Sequence, residues 1–227
     1  MHHPESFRLP AGGQWKRYRD IDWSDKKLHS NQELDCGPGG GAVVNDGMRE
    51  SDGWIYVFEG ETKLAGDVCL TFEEIDPNDD IYEWLESNGI EQDGVAVVVL
   101  GDLHVEGELS NNSEDPSFSL YVEGDLHAGL LALGNARVTG DVFVSGYQFL
   151  DDGNEFRTAG QIQAKAIFLD QQASLTPPGK PAPGTSIYGG DELPLKPALR
   201  PEFTDLDYPL YPMKQAAKQG QKLLAGE

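Results

Sequence analysis

The stretch Gly101-Asp102-Leu103-His104-Val105 decides the fold, because closely related stretches recur along the chain. Each places a glycine and a polar residue, which favour a turn, before an apolar, polar, apolar triplet typical of a half-buried strand. The other copies are Gly124-Asp125-Leu126-His127-Ala128, Gly140-Asp141-Val142-Phe143-Val144 and Gly160-Gln161-Ile162-Gln163-Ala164. Their glycines lie 23, 16 and 20 residues apart, a spacing typical of one coil of a solenoid.

The apolar residues of each copy are expected to point inward, because alternate residues of a strand share a face. The predicted inward set is Leu103, Val105, Leu126, Ala128, Val142, Val144, Ile162 and Ala164. Gly66-Asp67-Val68-Cys69-Leu70 reads as a fifth copy, so the predicted outer column is Cys69, His104, His127, Phe143 and Gln163. The predicted fold class is mainly β: a short single-stranded parallel β-helix or solenoid with a helical insertion and a proline-rich, partly helical C-terminal tail.

Breaks in this pattern divide the chain into three segments. Residues 1–50 are polar and turn-rich and are expected to pack on or cap the solenoid, which spans 51–170. Residues 171–227 are expected to form a proline-rich strap and a C-terminal helix over Met213–Leu224. Proline lacks the N–H donor of a strand ladder, so this strap cannot pair as an interior strand.

An acidic helix is predicted near 77–88, within the solenoid segment. Asp76 and Pro77 suit the first positions of a helix, and acidic residues follow in its first turn. Ile81, Trp84 and Leu85 then recur at helical spacing. The insertion accounts for the 35 residues between Gly66 and Gly101.

The chain is strongly acidic, with a formal net charge of -22 and an isoelectric point near 4.4. Between Asn45 and Asp125 there are 22 acidic residues against two basic ones, Arg49 and Lys63. This charge repels nucleic acids and anionic membranes, so neither is expected as a partner. Two interpretations stay open: a solvated surface that keeps the protein in solution, or a docking face for a basic protein.

The sequence also predicts where the protein is located and whether it is an enzyme. Cys36 and Cys69 form no CxxC motif, and no leader peptide or long apolar run is recognisable, so a soluble cytoplasmic protein is expected. The histidines form no HExxH motif and there is no GxSxG motif. The chain is therefore not expected to be an enzyme, and no catalytic residue or cofactor is predicted.

The repeated positions suggest two kinds of metal site. A column of Cys69, His104 and His127 contains zinc-ligand types, but side chains on one sheet face project in parallel, whereas tetrahedral coordination needs convergence. Stacked aspartates at 67, 102, 125 and 141 suggest calcium, but the calcium-binding repeat motif is absent. Hydrogen bonds to turn N–H groups two residues on are favoured for these aspartates.

A family resemblance rests on the successive stretches Val98–Gly107, Ser119–Ala128 and Val138–Tyr147. They resemble a group of bacterial β-solenoid proteins found beside polymorphic toxins and regarded as immunity proteins or as uncharacterised neighbours. The likeness covers about residues 95 to 170 and implies a protein that occludes the active site of a cognate toxin domain. The alternatives are an acidic mimic of nucleic acid that inhibits a basic DNA- or RNA-binding enzyme, and a polymerising β-helix scaffold.

Specificity for a partner is expected where side chains face outward or where the repeat is broken. Those places are the outer column, the acidic insertion, the loop at 111–116, the turn at 147–154 and the proline-rich tail. The predicted protein-binding residues are His104, His127, Phe143, Tyr147, Trp84, Glu83, Glu86, Asp79 and Asp80.

Overall fold

The structure is a computed structural model of the 227-residue chain. It describes residues 7–26, 54–72, 83, 87, 95–111, 118–151, 155–170, 173–176, 180–189, 198–204, 206 and 209–226.

The described residues are mainly strands, with short helices near both termini. The strands are β1 (Phe7–Arg8), β2 (Gln14–Arg17), β3 (Trp54–Glu59), β4 (Thr62–Leu64), β5 (Val68–Phe72), β6 (Val95–Leu100), β7 (Leu103–Asn111), β8 (Phe118–Val122), β9 (Leu126–Ala132), β10 (Ala136–Val138), β11 (Val142–Val144), β12 (Tyr147–Leu150), β13 (Glu155–Thr158), β14 (Gln161–Gln163), β15 (Ala166–Leu169), β16 (Ser174–Thr176), β17 (Lys180–Pro181) and β18 (Ser186–Gly189). The helices are a 3-10 helix (Tyr18–Asp20), α1 (Pro201–Thr204) and α2 (Leu210–Lys218).

The strands form two largely parallel sheets, so the predicted mainly β class is confirmed. The seven-stranded sheet has the order β16-β13-β10-β8-β6-β3-β2. The eleven-stranded sheet contains the path β1-β5-β7-β9-β11-β14-β17, while β4 pairs with β7, β12 with β9 and β15, and β18 with β15. Among the described strands, only β1 and β2 pair in antiparallel fashion, with β5 and β3 respectively. The N-terminal segment therefore adds an edge strand to each sheet.

The chain alternates between the sheets in a regular order. Each repeat unit consists of one strand of the seven-stranded sheet followed by one long or two short strands of the eleven-stranded sheet. Among the described strands, six such units begin at β3, β6, β8, β10, β13 and β16. Equivalent residues of neighbouring units are paired, as in Leu103 with Leu126 and Leu126 with Val142. The turn that leads from the first strand of a unit into the eleven-stranded sheet is called the first corner. The second corner is the next turn or bulge of the unit, within the eleven-stranded sheet, such as Gly66-Asp67 before β5.

Parallel pairing continues past Asp170, where the sequence predicts that the strand pattern ends. Strands β16, β17 and β18 pair with β13, β14 and β15 and form a sixth unit that reaches Gly189. Pro181 is tolerated because β17 pairs only with β14 in the described sheet, so the missing N–H donor costs no ladder bond on the other side.

The core lies between the two sheets and confirms the predicted inward set. All eight predicted residues are buried in one cluster with side chains of the seven-stranded sheet such as Val97, Leu120 and Val138. Two further clusters cover outer faces. Trp23 packs with Val57, Ala96 and Val98, so β6 is apolar on both faces.

A second outer cluster buries the C-terminal segment against the eleven-stranded sheet. Phe203, Leu210 and Met213 pack on the outward side chains of β9, β12 and β15, including Phe149 and Phe168. Helix α2 begins three residues before the predicted Met213 start and ends at Lys218, and Gly220 then adopts a φ of 72°. An ion pair also joins α2 to the end of β12, with Lys214 Nζ 2.6 Å from Asp151 Oδ2.

The predicted helical insertion is described at two residues only. Glu83 and Ser87 are both helical and exposed. The remainder of 77–88 lies outside the described residues.

The glycine and aspartate of three successive first corners, at 101–102, 124–125 and 140–141, interlock with the neighbouring units. The Asp125 N–H donates to Asp102 Oδ1 at 2.8 Å, and the Asp141 N–H donates to Asp125 Oδ1 at 2.7 Å. The Gln161 N–H donates to Asp141 Oδ1 at 2.7 Å. The expected bond to an N–H two residues on is therefore not the one formed, because the carboxylate reaches across to the next unit.

Glycine is required because the aspartate passes over it. A Cβ on Gly124 would lie 2.0 Å from Asp102 Oδ1, and one on Gly140 would lie 2.1 Å from Asp125 Oδ1. The backbone pairs directly at the same point, with the Gly124 N–H donating to the Gly101 oxygen at 3.2 Å. The glycine of one unit and the aspartate of its neighbour thus form a single contact between the two units.

We expect Gly124→Ala to lower the free energy of unfolding by about 2–4 kcal/mol, through overpacking and loss of a charge-assisted hydrogen bond. Urea unfolding measures this, with Gly226→Ala as the control, because nothing lies within 4 Å of a Cβ there. The double variant with Asp102→Ala should cost clearly less than the sum of the single changes, because both disrupt the same bond. Additive costs would contradict the interlock.

A polar side chain is buried in the core at Gln148. It is 0% exposed, and neither amide atom has a hydrogen-bond partner among the described residues. Its backbone neighbours in the adjacent units are Leu131 and Ile167. A buried amide without partners lowers stability, since its hydration is lost and not replaced.

Gln148→Leu is therefore expected to raise the free energy of unfolding by about 1–2 kcal/mol, because it removes an unsatisfied amide at similar volume. Gln148→Ala is the comparison and should be less stable than the leucine variant because it leaves a cavity. Urea unfolding of the three proteins decides the matter, and a leucine variant weaker than the parent would contradict it.

Candidate protein-binding face

Three rings stack in register on the outer side of the eleven-stranded sheet. The His104 and His127 ring centroids lie 4.3 Å apart at an interplanar angle of 11°, and those of His127 and Phe143 lie 4.7 Å apart at 18°. They follow from the pairing of β7, β9 and β11, which places His104 opposite His127 and His127 opposite Phe143. These three residues are called the ring column.

The residues that flank the ring column correct one prediction. Lys63 pairs with His104, so the first member of the column is a lysine, whereas Cys69 pairs with Ser110 on the next part of β7. The predicted fifth copy at 66–70 is displaced by one corner relative to the other copies. Gly66-Asp67 occupies the second corner of its unit, whereas Gly101-Asp102 occupies the first corner. The first-corner equivalent is Gly60-Glu61, and a Cβ on Gly101 would lie 2.5 Å from the Gly60 carbonyl carbon.

This shift also bears on the zinc hypothesis. The cysteine thiol is exposed and belongs to a different strand segment from the two histidines. Among the described residues, no group of three or more His, Cys, Asp or Glu side chains is placed to hold a metal ion. The imidazoles stack in parallel, which is the arrangement that opposes convergence on one ion.

A row of carboxylates runs beside the ring column. Asp102, Asp125 and Asp141 each lie two residues before a ring residue, directly before the strand that carries it. The two rows therefore run side by side across β7, β9 and β11. One oxygen of each carboxylate accepts the N–H of the next unit. The three side chains are partly exposed, and they are called the aspartate row.

The ring column lines a shallow groove of about 480 Å³. Its floor is formed by the three rings, and its margins include Glu106, Ser145 and Gln163, which are exposed or partly exposed. A groove of this kind suits contact with another molecule, since it offers ring edges, the Glu106 carboxylate and backbone on one face. The aspartate row borders the other side of the rings.

One end of the ring column carries an ion pair. Lys63 Nζ lies 2.8 Å from Glu61 Oε1, and His104 Nε2 lies 3.6 Å from the same oxygen. The hydrogen bond from Lys63 and its positive charge, with a smaller contribution from His104, lower the pKa of Glu61. The same pair raises the pKa of Lys63.

Tyr147 does not contribute to this face, contrary to the prediction. It is 4% exposed, and its ring packs with Phe149 and Phe168 beneath the C-terminal segment. The Leu223 N–H donates to its hydroxyl at 3.3 Å. Apolar residues of helix α2 and of the segments on either side of it bury this tyrosine, an arrangement that the local sequence around it does not reveal.

The other predicted binding residues are only partly described. His104, His127 and Phe143 are brought together, whereas Glu83 is described only as helical and exposed. Trp84, Glu86, Asp79 and Asp80 lie outside the described residues. The sequence analysis missed Lys63 and Glu61, although the Gly60-Glu61 turn followed by Thr62-Lys63-Leu64 carries the apolar spacing in a weaker form.

Comparison with known proteins identifies no relative. The chain matches no family model, no curated protein and no solved structure. Within the described part of the chain, no helix has the length and apolar character needed to cross a membrane.

Lys63→Met is expected to raise the pKa of Glu61 toward its ordinary range, because the largest cause of its lowering is removed. A carboxylate with a lowered pKa keeps its paired form above that pKa and loses it as the pH falls through it. Carboxyl-carbon NMR titration measures the change. Lys16→Met is the control, since Lys16 pairs with Glu59, and an unchanged Glu61 titration in Lys63→Met would contradict the assignment.

Proposed function

We propose that this chain is a single-stranded parallel β-solenoid that acts in the cytoplasm as an immunity protein. It binds a cognate bacterial toxin domain and blocks the active site of that domain. The resemblance of the repeated stretches to β-solenoid proteins found beside toxins is one support. The alternation of the chain between two parallel sheets, with equivalent residues paired in neighbouring units, supports the solenoid form.

The observation that carries the binding role is the ring column with its adjacent aspartate row. Neighbouring faces of the sheets are covered by the protein's own segments, through Trp23 on one sheet and through Phe203 and Met213 on the other. The ring column instead lines an open groove, and the His104 side chain is 34% exposed. A surface that combines aromatic edges with acidic side chains favours a basic protein partner.

The mode of inhibition follows from the charge of the whole chain. A formal net charge of -22 accelerates encounter with a basic surface and repels polyanions. Many toxin domains that act on anionic substrates need a basic active-site cleft, and an acidic face that fills such a cleft excludes the substrate. Inhibition of this kind needs no catalytic group in the inhibitor, and tight binding suffices.

We expect the gene immediately upstream to encode the toxin domain, and the direct test is rescue of bacteria that express that domain. Co-expression should restore growth, and the two purified proteins should co-elute on size-exclusion chromatography. Absence of both rescue and complex would refute the immunity role. Filaments seen by electron microscopy together with absence of rescue would favour the scaffold alternative.

Phe143→Glu is expected to reduce protection at least tenfold in toxin titre, because it replaces an aromatic contact by a further negative charge in the groove. Lys222→Glu changes charge on the exposed part of the C-terminal segment and should protect as the parent does. Circular dichroism confirms that both variants are folded. Full protection by Phe143→Glu would place the toxin contact elsewhere on the chain.

A further inference from the structure

We infer that the ring column and the aspartate row beside it bind a basic α-helix of the partner, lying parallel to the stack of units. Its cationic side chains face the aspartate row, and its apolar flank contacts the rings. The inference deepens the proposed function by naming the element that is recognised, and it rests on that function for the identity of the partner.

The spacing of the rows favours a helix. Neighbouring strands of a sheet lie about 4.8 Å apart, so the carboxylates of Asp102, Asp125 and Asp141 recur at about that interval. Successive turns of an α-helix rise about 5.4 Å. Over the three carboxylates the mismatch is about 1 Å, which a flexible lysine or arginine side chain absorbs. Side chains on one face of an extended strand recur every ~6.7 Å, and the mismatch then grows to about 4 Å.

The width of the face agrees with the same occupant. Each aspartate precedes its ring residue by two positions, which separates the two rows by about 6.6 Å along the strands. A helix with its side chains is roughly 10–12 Å across and therefore contacts both rows. Residues adjacent to the cationic row of such a helix are turned toward the rings, where an apolar side chain meets the edges of His127 and Phe143.

Charge selects a basic helix over an acidic or neutral one. One oxygen of each carboxylate in the aspartate row is held by a backbone N–H, which fixes the side chain in place before any partner arrives. Lys63, the cationic side chain at the end of the ring column, is already paired with Glu61. Fixed acceptors lose little conformational entropy on binding, so these contacts favour association.

Replacing aspartate by asparagine separates charge from structure. Asparagine keeps the Oδ1 acceptor for the N–H of the next unit and removes the negative charge. The test variant is the triple change Asp102→Asn, Asp125→Asn and Asp141→Asn. The matched control is Asp67→Asn, because Asp67 accepts the Glu108 N–H at 2.8 Å in the same manner but at the second corner.

The probe is an alanine-based helical peptide with lysines at positions i, i+4, i+7 and i+11 and leucines beside them, titrated into the isotope-labelled full chain. A peptide of the same composition with lysines at every fifth position spreads the charge around the helix and serves as the second probe. Chemical shifts of His104, His127 and the three aspartates report the binding, and circular dichroism confirms equal helicity of the peptides.

The facially charged peptide should bind at least tenfold more tightly than its isomer and shift the ring-column signals. The triple asparagine variant should lose at least tenfold in affinity for it, whereas Asp67→Asn should bind as the parent does. Equal binding of the two peptides, or unchanged binding by the folded triple variant, would overturn the inference. Binding of a single-stranded oligonucleotide at the same signals would also overturn it.

The toxin-rescue assay distinguishes this inference from the proposed function. A triple variant that fails to protect while Asp67→Asn protects supports both. Full protection by the triple variant overturns the helix contact and leaves the immunity role standing. Failure of the parent protein to protect, with peptide binding as described, refutes the immunity role and keeps the helix-binding face.

Discussion

The stacking of the repeat units in this protein depends on a side-chain acceptor at three successive first corners, those of Asp102, Asp125 and Asp141. Where the chain turns between sheets, the N–H of the residue after the corner glycine needs an acceptor. The carboxylate of Asp102 or Asp125 supplies the acceptor. The preceding glycine lacks the Cβ that would block the carboxylate. This contact joins the same units whose strand pairing aligns the ring column, so it reinforces the register of β7, β9 and β11.

The inward side chains could be predicted from the sequence because the period of two within each strand is a local property. Leu103, Leu126 and Val142 are buried in the common core as expected. The sixth unit could not be predicted because its prolines indicate a break in the strand pattern, although an edge strand tolerates Pro181. The phase of the first unit was missed because Gly66-Asp67 resembles the first-corner pattern, and only strand pairing shows that it stands at the second corner.

The candidate face could be predicted in part. The alignment of His104, His127 and Phe143 follows from the repeat, and their rings do stack. Burial of Tyr147 could not be foreseen, since it depends on a segment more than sixty residues later in the chain that packs through Leu210 and Met213. Local patterns identify which side of a strand a residue occupies. They do not identify which distant segment covers that side.

The glycine and aspartate interlock also bears on how such a chain can change in length. Each contact is made between equivalent corners, and it is indifferent to the number of residues that separate them, which is 23 between Asp102 and Asp125 and 16 between Asp125 and Asp141. Duplication of a whole unit would present the same donor and acceptor at its two boundaries. Evolution can therefore lengthen the ring column and the aspartate row by tandem duplication and vary the loops freely, while a single inserted residue at a corner would break the register.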